Sequence, residues 1–360
     1  MHLHCNTMQL SCTVLSVTEL VDSSVDWSVV ESWLAAKGVA YGQVTVIEQI
    51  GGGTQNLMFR FRCGDAQLVL RRGPRHPRPH TNDALRREAR VLSALAGSGV
   101  PIPQLIAAEP DESVLGSAFY VMDPVDGFNA SISLPPLYES NPEIRRAMGF
   151  HAVDALLALG AVDAEQVGLG DLGRPEGFLE RQVPQWLGTL DKYAALDGYP
   201  GHSLPNVDEL ADWLTQHRPL TFLPGIMHGD FHMANLMFRN DGPQVAAIVD
   251  WEMCTLGDPL LDLGWLLATW PQDGAIGVSA GVSDLPTRTE LVAHYSAAAQ
   301  RSVEHAPWYV VMASFKLAIV LEGTNARAHA GKAPKNTGDL LHTIAIGLLN
   351  NATVFIEKGI

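Results

Sequence analysis

The densest concentration of reactive side chains in this sequence is His228-Gly229-Asp230-Phe231-His232-Met233-Ala234-Asn235, followed further on by Asp250-Trp251-Glu252. Between the two groups, apolar stretches at 236–239 and 245–250 flank Asn240-Asp241-Gly242-Pro243. That pattern predicts a β-hairpin. Asp230 and Asn235 stand five residues apart, and Asp250 ends the strand that pairs with the one after Asn235. The hairpin therefore carries three oxygen-bearing side chains to one edge of a small sheet. Phosphoryl transfer asks for such a set. One carboxylate orients an acceptor hydroxyl and takes its proton, while a second carboxylate and an amide oxygen hold Mg2+ on the phosphates of ATP. The alternative is a polar turn that merely caps two strands, and the combined spacing argues against it.

Other elements must position these groups. Apolar-polar stretches at 44–50 and 57–62, joined by Gly51-Gly52-Gly53-Thr54, predict a hairpin with a glycine-rich turn. A third strand is expected at 67–71 and another at 118–123. The segment 73–80, rich in Pro, Arg and His, reads as a loop. Short and longer helices are expected over 26–37 and 82–96, the second closed by Gly97 or Gly99 and then Pro101. Within 82–96, Glu88 lies on the apolar stripe with Leu85 and Leu92. A buried carboxylate needs a cationic partner. Arg71 and Arg72 follow Leu68-Val69-Leu70, and the sequence leaves open which of them points inward. From Pro142 onward helical patterns dominate, at 142–159, 178–196, 207–217 and from 287 to the end. The fold class expected is α+β, with a β-rich lobe followed by a mostly helical one and a boundary near 124–129. Residues 1–24 read as a flexible extension, 25–123 as the first lobe and 124–360 as the second.

HGDFHMANLMF, IVDWE and GDPLLDLGW together resemble the aminoglycoside-phosphotransferase superfamily, and within it the kinase-like domain found at the front of some acyl-CoA dehydrogenases. The resemblance runs from about Gly51 to Lys332. It implies a two-lobed protein-kinase-like fold with ATP and Mg2+ between the lobes and a small hydroxylated molecule as acceptor. By resemblance, Asp230 is the catalytic Asp, and Asn235 and Asp250 are the magnesium ligands. Arg71 pairs with Glu88 and touches the α- and β-phosphates, where most relatives of the kinase fold have Lys. Gly52, Gly53 and Thr54 belong to the turn covering the phosphates. Phe119 to Gly127 looks like the hinge, so Met122, Asp123 and Val125 would meet the adenine. Asp258 resembles a helix N-cap with Pro259 at the first helical position, and Asp262 is expected to be buried and to brace the catalytic loop. Relatives often carry His where this chain has Gly160. The acceptor implied is of hydroxyacyl type, with an aminoglycoside as the alternative. No activation segment ending in Ala-Pro-Glu follows Asp250, which argues against a protein kinase.

Composition narrows the field. The chain has 360 residues, 47% of them hydrophobic and 18% charged, which is ordinary for a globular protein. A net charge of −15 makes nucleic acid a poor partner, because phosphate contacts need clustered Lys and Arg. The four cysteines, Cys5, Cys12, Cys63 and Cys254, show no CxxC spacing, so reduced thiols and a cytoplasmic location are expected. No continuous run of eighteen apolar residues occurs, so no membrane span is expected. Two further motifs are weaker. Gly277-Val278-Ser279-Ala280-Gly281 matches a hydrolase elbow without the strand before it and the helix after it that such an elbow needs. His228, Asp230 and His232 lack the further ligands of a metallohydrolase. A non-catalytic binding protein of the same fold usually lacks the base or a metal ligand, and all three are present here. Oligomeric state is not legible.

Overall fold

The computed structural model describes residues 25–50, 56–74, 80–271 and 282–360. The glycine turn containing Gly52, Gly53 and Thr54, and the 277–281 motif, lie outside the described residues, as does the 1–24 extension. The first part of the chain runs α1 (Trp27–Ala36), β1 (Val44–Ile50), β2 (Leu57–Cys63), β3 (Ala66–Arg72), α2 (Thr81–Leu95), β4 (Leu105–Glu109) and β5 (Phe119–Met122). The strands form one antiparallel sheet in the order β1-β2-β3-β5-β4. Alternation along the strands divides its side chains between two cores. Leu68 and Leu70 of β3, with Phe119 and Val121 of β5, pack under α1. Val69, Tyr120 and Met122 face the other way, onto α2 and the second lobe. Asp26 caps α1 by accepting the Ser28 and Val29 N–H groups, and Trp33 stacks edge-on against Phe119 at 4.8 Å.

The second part runs β6 (Phe128–Asn129), α3 (Pro136–Glu139), α4 (Pro142–Gly160), α5 (Phe178–Ala194), α6 (Val207–Gln216), β7 (Gly225–Met227), β8 (Leu236–Phe238), β9 (Val245–Ile248), β10 (Thr255–Gly257), α7 (Leu260–Ala268), α8 (Arg288–Ala298), α9 (Ala306–His329) and α10 (Lys335–Lys358). The expected hairpin is β8–β9, extended by β6. A second ladder, β7 with β10, closes around it in sequence. The architecture is α+β, a β-rich lobe followed by a mostly helical one. Four strands departed from expectation by being absent from it: β4, β6, β7 and β10. Three of these are only two or three residues long, below what alternation can reveal. The long C-terminal helical stretch is three helices.

α9 is the core helix of the second lobe, buried along most of its length between α5, α7 and α10. It and α10 are each long and apolar enough to span a bilayer by length and hydropathy, a property the sequence reading did not anticipate. In α9, 72% of the apolar window is buried inside the protein, as in a core helix. Gly160 leaves room for Arg301, whose Nη1 donates to the Gly160 carbonyl at 3.1 Å.

α7 approaches α9 so closely that only glycine fits at the crossing. A Cβ on Gly264 would lie 2.4 Å from the Tyr309 carbonyl oxygen. Gly264→Ala is expected to force the helices apart and destabilise the protein by about 1–3 kcal/mol. A lowered urea midpoint at unchanged slope would show it, and an unaltered midpoint would contradict the close crossing.

Candidate active site

β7 delivers the chain to His228, and the residues up to Asn235 form a loop that a buried carboxylate holds from behind. Asp262, in the first turn of α7, accepts the His228 N–H through Oδ2 at 2.6 Å and the Gly229 N–H through Oδ1 at 2.8 Å. Burial pushes its carboxyl up to about 7, against the pull of those two N–H groups and of Lys316. Asp258 accepts the Leu260 N–H at 3.1 Å, but α7 begins at Leu260 with Pro259 and not Asp258 at its N-cap, one residue later than expected. Gly229 has φ +86°, and a Cβ there would lie 2.4 Å from the Met253 carbonyl oxygen. The loop needs glycine at that position both for its backbone angle and for the close approach.

His228 is fully buried. Its Nδ1 accepts the Asp230 N–H at 3.3 Å, and its Nε2 donates to the Val249 carbonyl at 3.0 Å. It thereby ties the Asp230 loop to the end of β9. Burial drives its pKa from 6.5 down to about 4, despite nearby carboxylates. The ring is neutral at neutral pH, the form that both hydrogen bonds require.

Asp230 is flanked on both oxygens. Asn235 Nδ2 donates to Oδ2 at 2.9 Å and also to the Asp230 carbonyl at 2.9 Å. His232 Nε2 lies 3.3 Å from Oδ1, while its Nδ1 accepts the Ala234 N–H at 3.2 Å. Burial raises the Asp230 carboxyl, but the His232 contact and the positive field that includes Lys316 outweigh it, and it ends below the usual value. With the Asn235 amide nitrogen turned inward, its oxygen has no hydrogen-bond partner among the described residues. Asp250 closes the set. It sits at φ +67°, ψ +66°, a left-handed conformation that is strained for a residue with a side chain and recurs at functional sites.

Asp250 also faces the first lobe. Arg71 Nη2 lies 2.9 Å from Asp250 Oδ1 and 2.9 Å from Glu88 Oε1. Glu88, buried on α2, accepts the Trp251 N–H at 3.2 Å through the same oxygen, and the Tyr120 hydroxyl beside it also favours its ionised form. Burial raises the Glu88 carboxyl to about 7, with Arg71 opposing and Asp250 and Glu252 adding to the rise. The structure brings Arg71 and not Arg72 to Glu88. Strand alternation turns Arg72 to the other face, where its Nε donates to the Gly73 carbonyl at 3.1 Å.

The donor set fits a hard cation carried on phosphates. The Asn235 amide oxygen is free, and Asp250 is 39% exposed with one oxygen on Arg71. Among the described residues no group of three or more His, Cys, Asp or Glu could hold a metal alone. Mg2+ is commonly held by one or two protein oxygens with the substrate phosphates supplying others. Asp123 and Val125 line a cavity of about 360 Å3 with residues 102–104 and 239–241. None of the residues around Asp230 or Arg71 lines it. The Asp123 N–H is committed to the Gln104 carbonyl at 2.9 Å, and Met122 is buried in the sheet core between Val69 and Leu105. Glu252 lines a separate groove with Arg87 and Cys254.

The sequence reading missed Lys316. Its Nζ donates to the Gly229 carbonyl at 3.0 Å and lies 4.4 Å from the centre of the Trp265 ring. A lone lysine in an apolar helix reads as a residue reaching for solvent, and only its place beside the 228–235 loop shows otherwise.

The chain matches known proteins over most of its length. The family model described as phosphotransferase enzyme family matches residues 46–296. The chain is 30% identical over 299 residues to acyl-CoA dehydrogenase family member 11 of Gallus gallus, covering 80% of this chain and 37% of that protein. Across the curated relatives it matches, it spans between 27% and 42% of their length. It is 29% identical, with a TM-score of 0.76, to a solved structure from Ralstonia eutropha JMP134 provisionally assigned as an aminoglycoside phosphotransferase, covering 92% of this chain and 99% of that one. At 14% identity and a TM-score of 0.57 it shares the fold of aminoglycoside phosphotransferase APH(4)-Ia, solved in a ternary complex with ADP and hygromycin B, covering 89% of this chain and 98% of that one.

Two outcomes follow from this geometry. Arg71→Met leaves Glu88 and Asp250 without their shared cation and is expected to cost about 3–5 kcal/mol. Adding Glu88→Gln should recover part of that loss in a double-mutant cycle by chemical denaturation, whereas additive costs would deny the coupling. For His228, the folded pKa lies below the unfolded one, so its contribution to stability is present above pH 6.5 and is lost as pH falls toward about 4. Between pH 7.5 and 5, the wild type should lose roughly 2 kcal/mol more than His228→Gln. Parallel pH profiles of stability would mean that the ring is not held neutral.

Proposed function

The chain belongs to the phosphotransferase enzyme family, and from that premise we propose that it is an ATP- and Mg2+-dependent kinase acting on a hydroxyl of a small molecule. The observation that carries this reading is the convergence of Asp230, Asn235 and Asp250 at one edge of the β8–β9 hairpin, with Arg71 and Glu88 reaching Asp250 from the first lobe. Asp230 is held ionised, so it accepts a hydrogen bond from the acceptor hydroxyl and takes its proton as the bond to phosphorus forms. Asn235 and His232 fix the carboxylate in the orientation that this needs. Asn235 Oδ1 and Asp250 would hold Mg2+, which when bound neutralises charge on the phosphates. Arg71 would reach the α- and β-phosphates while Glu88 keeps it in place. Gly52, Gly53 and Thr54 would cover the phosphates, and Met122, Asp123 and Val125 would border the adenine.

The acceptor we favour is a hydroxylated acyl compound. The curated relatives are named as acyl-CoA dehydrogenases, and a kinase within such chains would act on a metabolite of the same class. The second reading, an aminoglycoside acceptor, is favoured by the name given to the Ralstonia eutropha structure. The test is ADP release with Mg-ATP across hydroxyacyl thioesters, aminoglycosides and amino alcohols. Acceptor-stimulated release that falls by about 100-fold or more in Asp230→Asn is expected. Release unaffected by that substitution would sink the assignment of Asp230, and an absence of both Mg-ATP binding and turnover would sink the kinase.

A further inference from the structure

Lys316 is a half-buried ammonium with more hydrogen-bonding capacity than the protein uses. It has three N–H donors, and the Gly229 carbonyl is its only hydrogen-bond partner among the described residues. The two carboxylates whose field reaches it are already engaged. Asp262 accepts two backbone N–H groups, Asp230 is flanked by Asn235 and His232, and neither forms an ion pair with Lys316. Its walls are aromatic, with Trp265 of α7 at 4.4 Å and Trp186 of α5 at 5.6 Å from ring centre to Nζ. Both indole Nε1–H groups are buried without a partner. Trp265 as a whole is only 5% exposed. Donors left unmet away from water are costly. Here two unmet indole donors and an under-used ammonium occur together, next to the residue that precedes Asp230. Bracing one carbonyl would need a single donor and no aromatic walls.

We propose that Lys316, with the indole N–H groups of Trp186 and Trp265, forms an anion subsite of the acceptor pocket that holds a carboxylate-class group on the molecule whose hydroxyl faces Asp230. Lys316 and the two indole N–H groups are donors, set within the field of the Asp262 and Asp230 carboxylates, so the subsite suits a group with several acceptor lone pairs. The hydroxyl half of this statement rests on the kinase reading. The anion half rests on α5, α7 and α9 alone.

The experiment compares hydroxy carboxylic acids of graded chain length with the diols of the same length as acceptors, in wild type, Lys316→Met, Lys316→Arg and Trp186→Phe. The wild type should prefer the acids. Lys316→Met should raise KM for the acids by about 10–100-fold over any change it makes to KM for the diols, the value of a charge-assisted hydrogen bond. Lys316→Arg should keep most of the preference, and Trp186→Phe, which keeps a ring but loses the donor, should raise KM a few-fold and serves if Lys316→Met does not fold. A fall in kcat for acids and diols alike, at unchanged KM, would reduce Lys316 to a brace for the loop and overturn the proposal. Direct binding separates this from failure of the kinase itself. With hydroxy acid added, quenching of tryptophan fluorescence that the lysine or tryptophan substitution removes upholds the subsite even if no acceptor turns over, and Mg-ATP titration by calorimetry then tests the kinase reading separately. Wild-type fluorescence and KM that ignore the carboxylate would overturn the subsite.

Discussion

A single guanidinium joins three segments far apart in sequence. Arg71 comes from β3, Glu88 from α2 and Asp250 from the turn after β9, and all meet on one nitrogen. Two carboxylates so near each other, one of them buried, would repel and would each resist burial without that cation. The arrangement is costly to break and is not favourable by default, since desolvating the three charges opposes their attraction. Its consequence is positional. Because Glu88 also accepts the Trp251 N–H, the helix of the first lobe grips the backbone directly after Asp250. The distance between the lobes at this point is set by ion pairing and a backbone hydrogen bond. A longer or shorter cation would change it. Both carboxylates meet the same Nη2, so these two contacts leave the rest of the arginine fork unused and do not by themselves distinguish it from the compact charge of a lysine.

The 228–235 loop is held on a different principle. Asp262 and His228 are both buried and use opposite strategies. Asp262 concentrates two backbone N–H groups on one carboxylate, while His228 stays neutral and bridges two backbone groups. Both fix main chain and leave the Asp230 carboxylate to Asn235 and His232. The φ values of Gly229 and Asp250 show the same economy of position. The loop approaches Met253 closely enough to require glycine, and Asp250 is held in a left-handed conformation that its neighbours must impose.

The site was legible where chemistry was local. The Asp230–Asn235 spacing and the hairpin leading to Asp250 sit within one stretch, and turn chemistry alone predicts that they converge. Glu88 was legible for another reason: a carboxylate on an apolar helical stripe must have a partner, and few cations precede it in an apolar strand. The choice between Arg71 and Arg72 was not legible, because it depends on which face of the sheet meets α2, and that is decided by tertiary packing. β7 and β10 were hidden by their length, although they frame the loop. The hydrogen bond from Asp123 N–H to Gln104 was hidden because it depends on β4, a strand without clear alternation.

Lys316 shows the limit most clearly. Its helix is apolar on nearly every face, so periodicity says only that it lies in a core. Within such a helix, a lysine is equally consistent with snorkelling to the surface. What distinguishes the two is the company it keeps, and that company comes from α5, α7 and the loop at Gly229, all distant in sequence. One side of Asp230 is thus defined by carboxylates that gather on a guanidinium, and the other by a cation set among aromatic rings. In the reading proposed above, positive charge stands on both flanks of the hydroxyl, and an acceptor with negative charge of its own would suit it. The fold, shared with an enzyme solved with hygromycin B, does not decide that property; the side chains around Lys316 would.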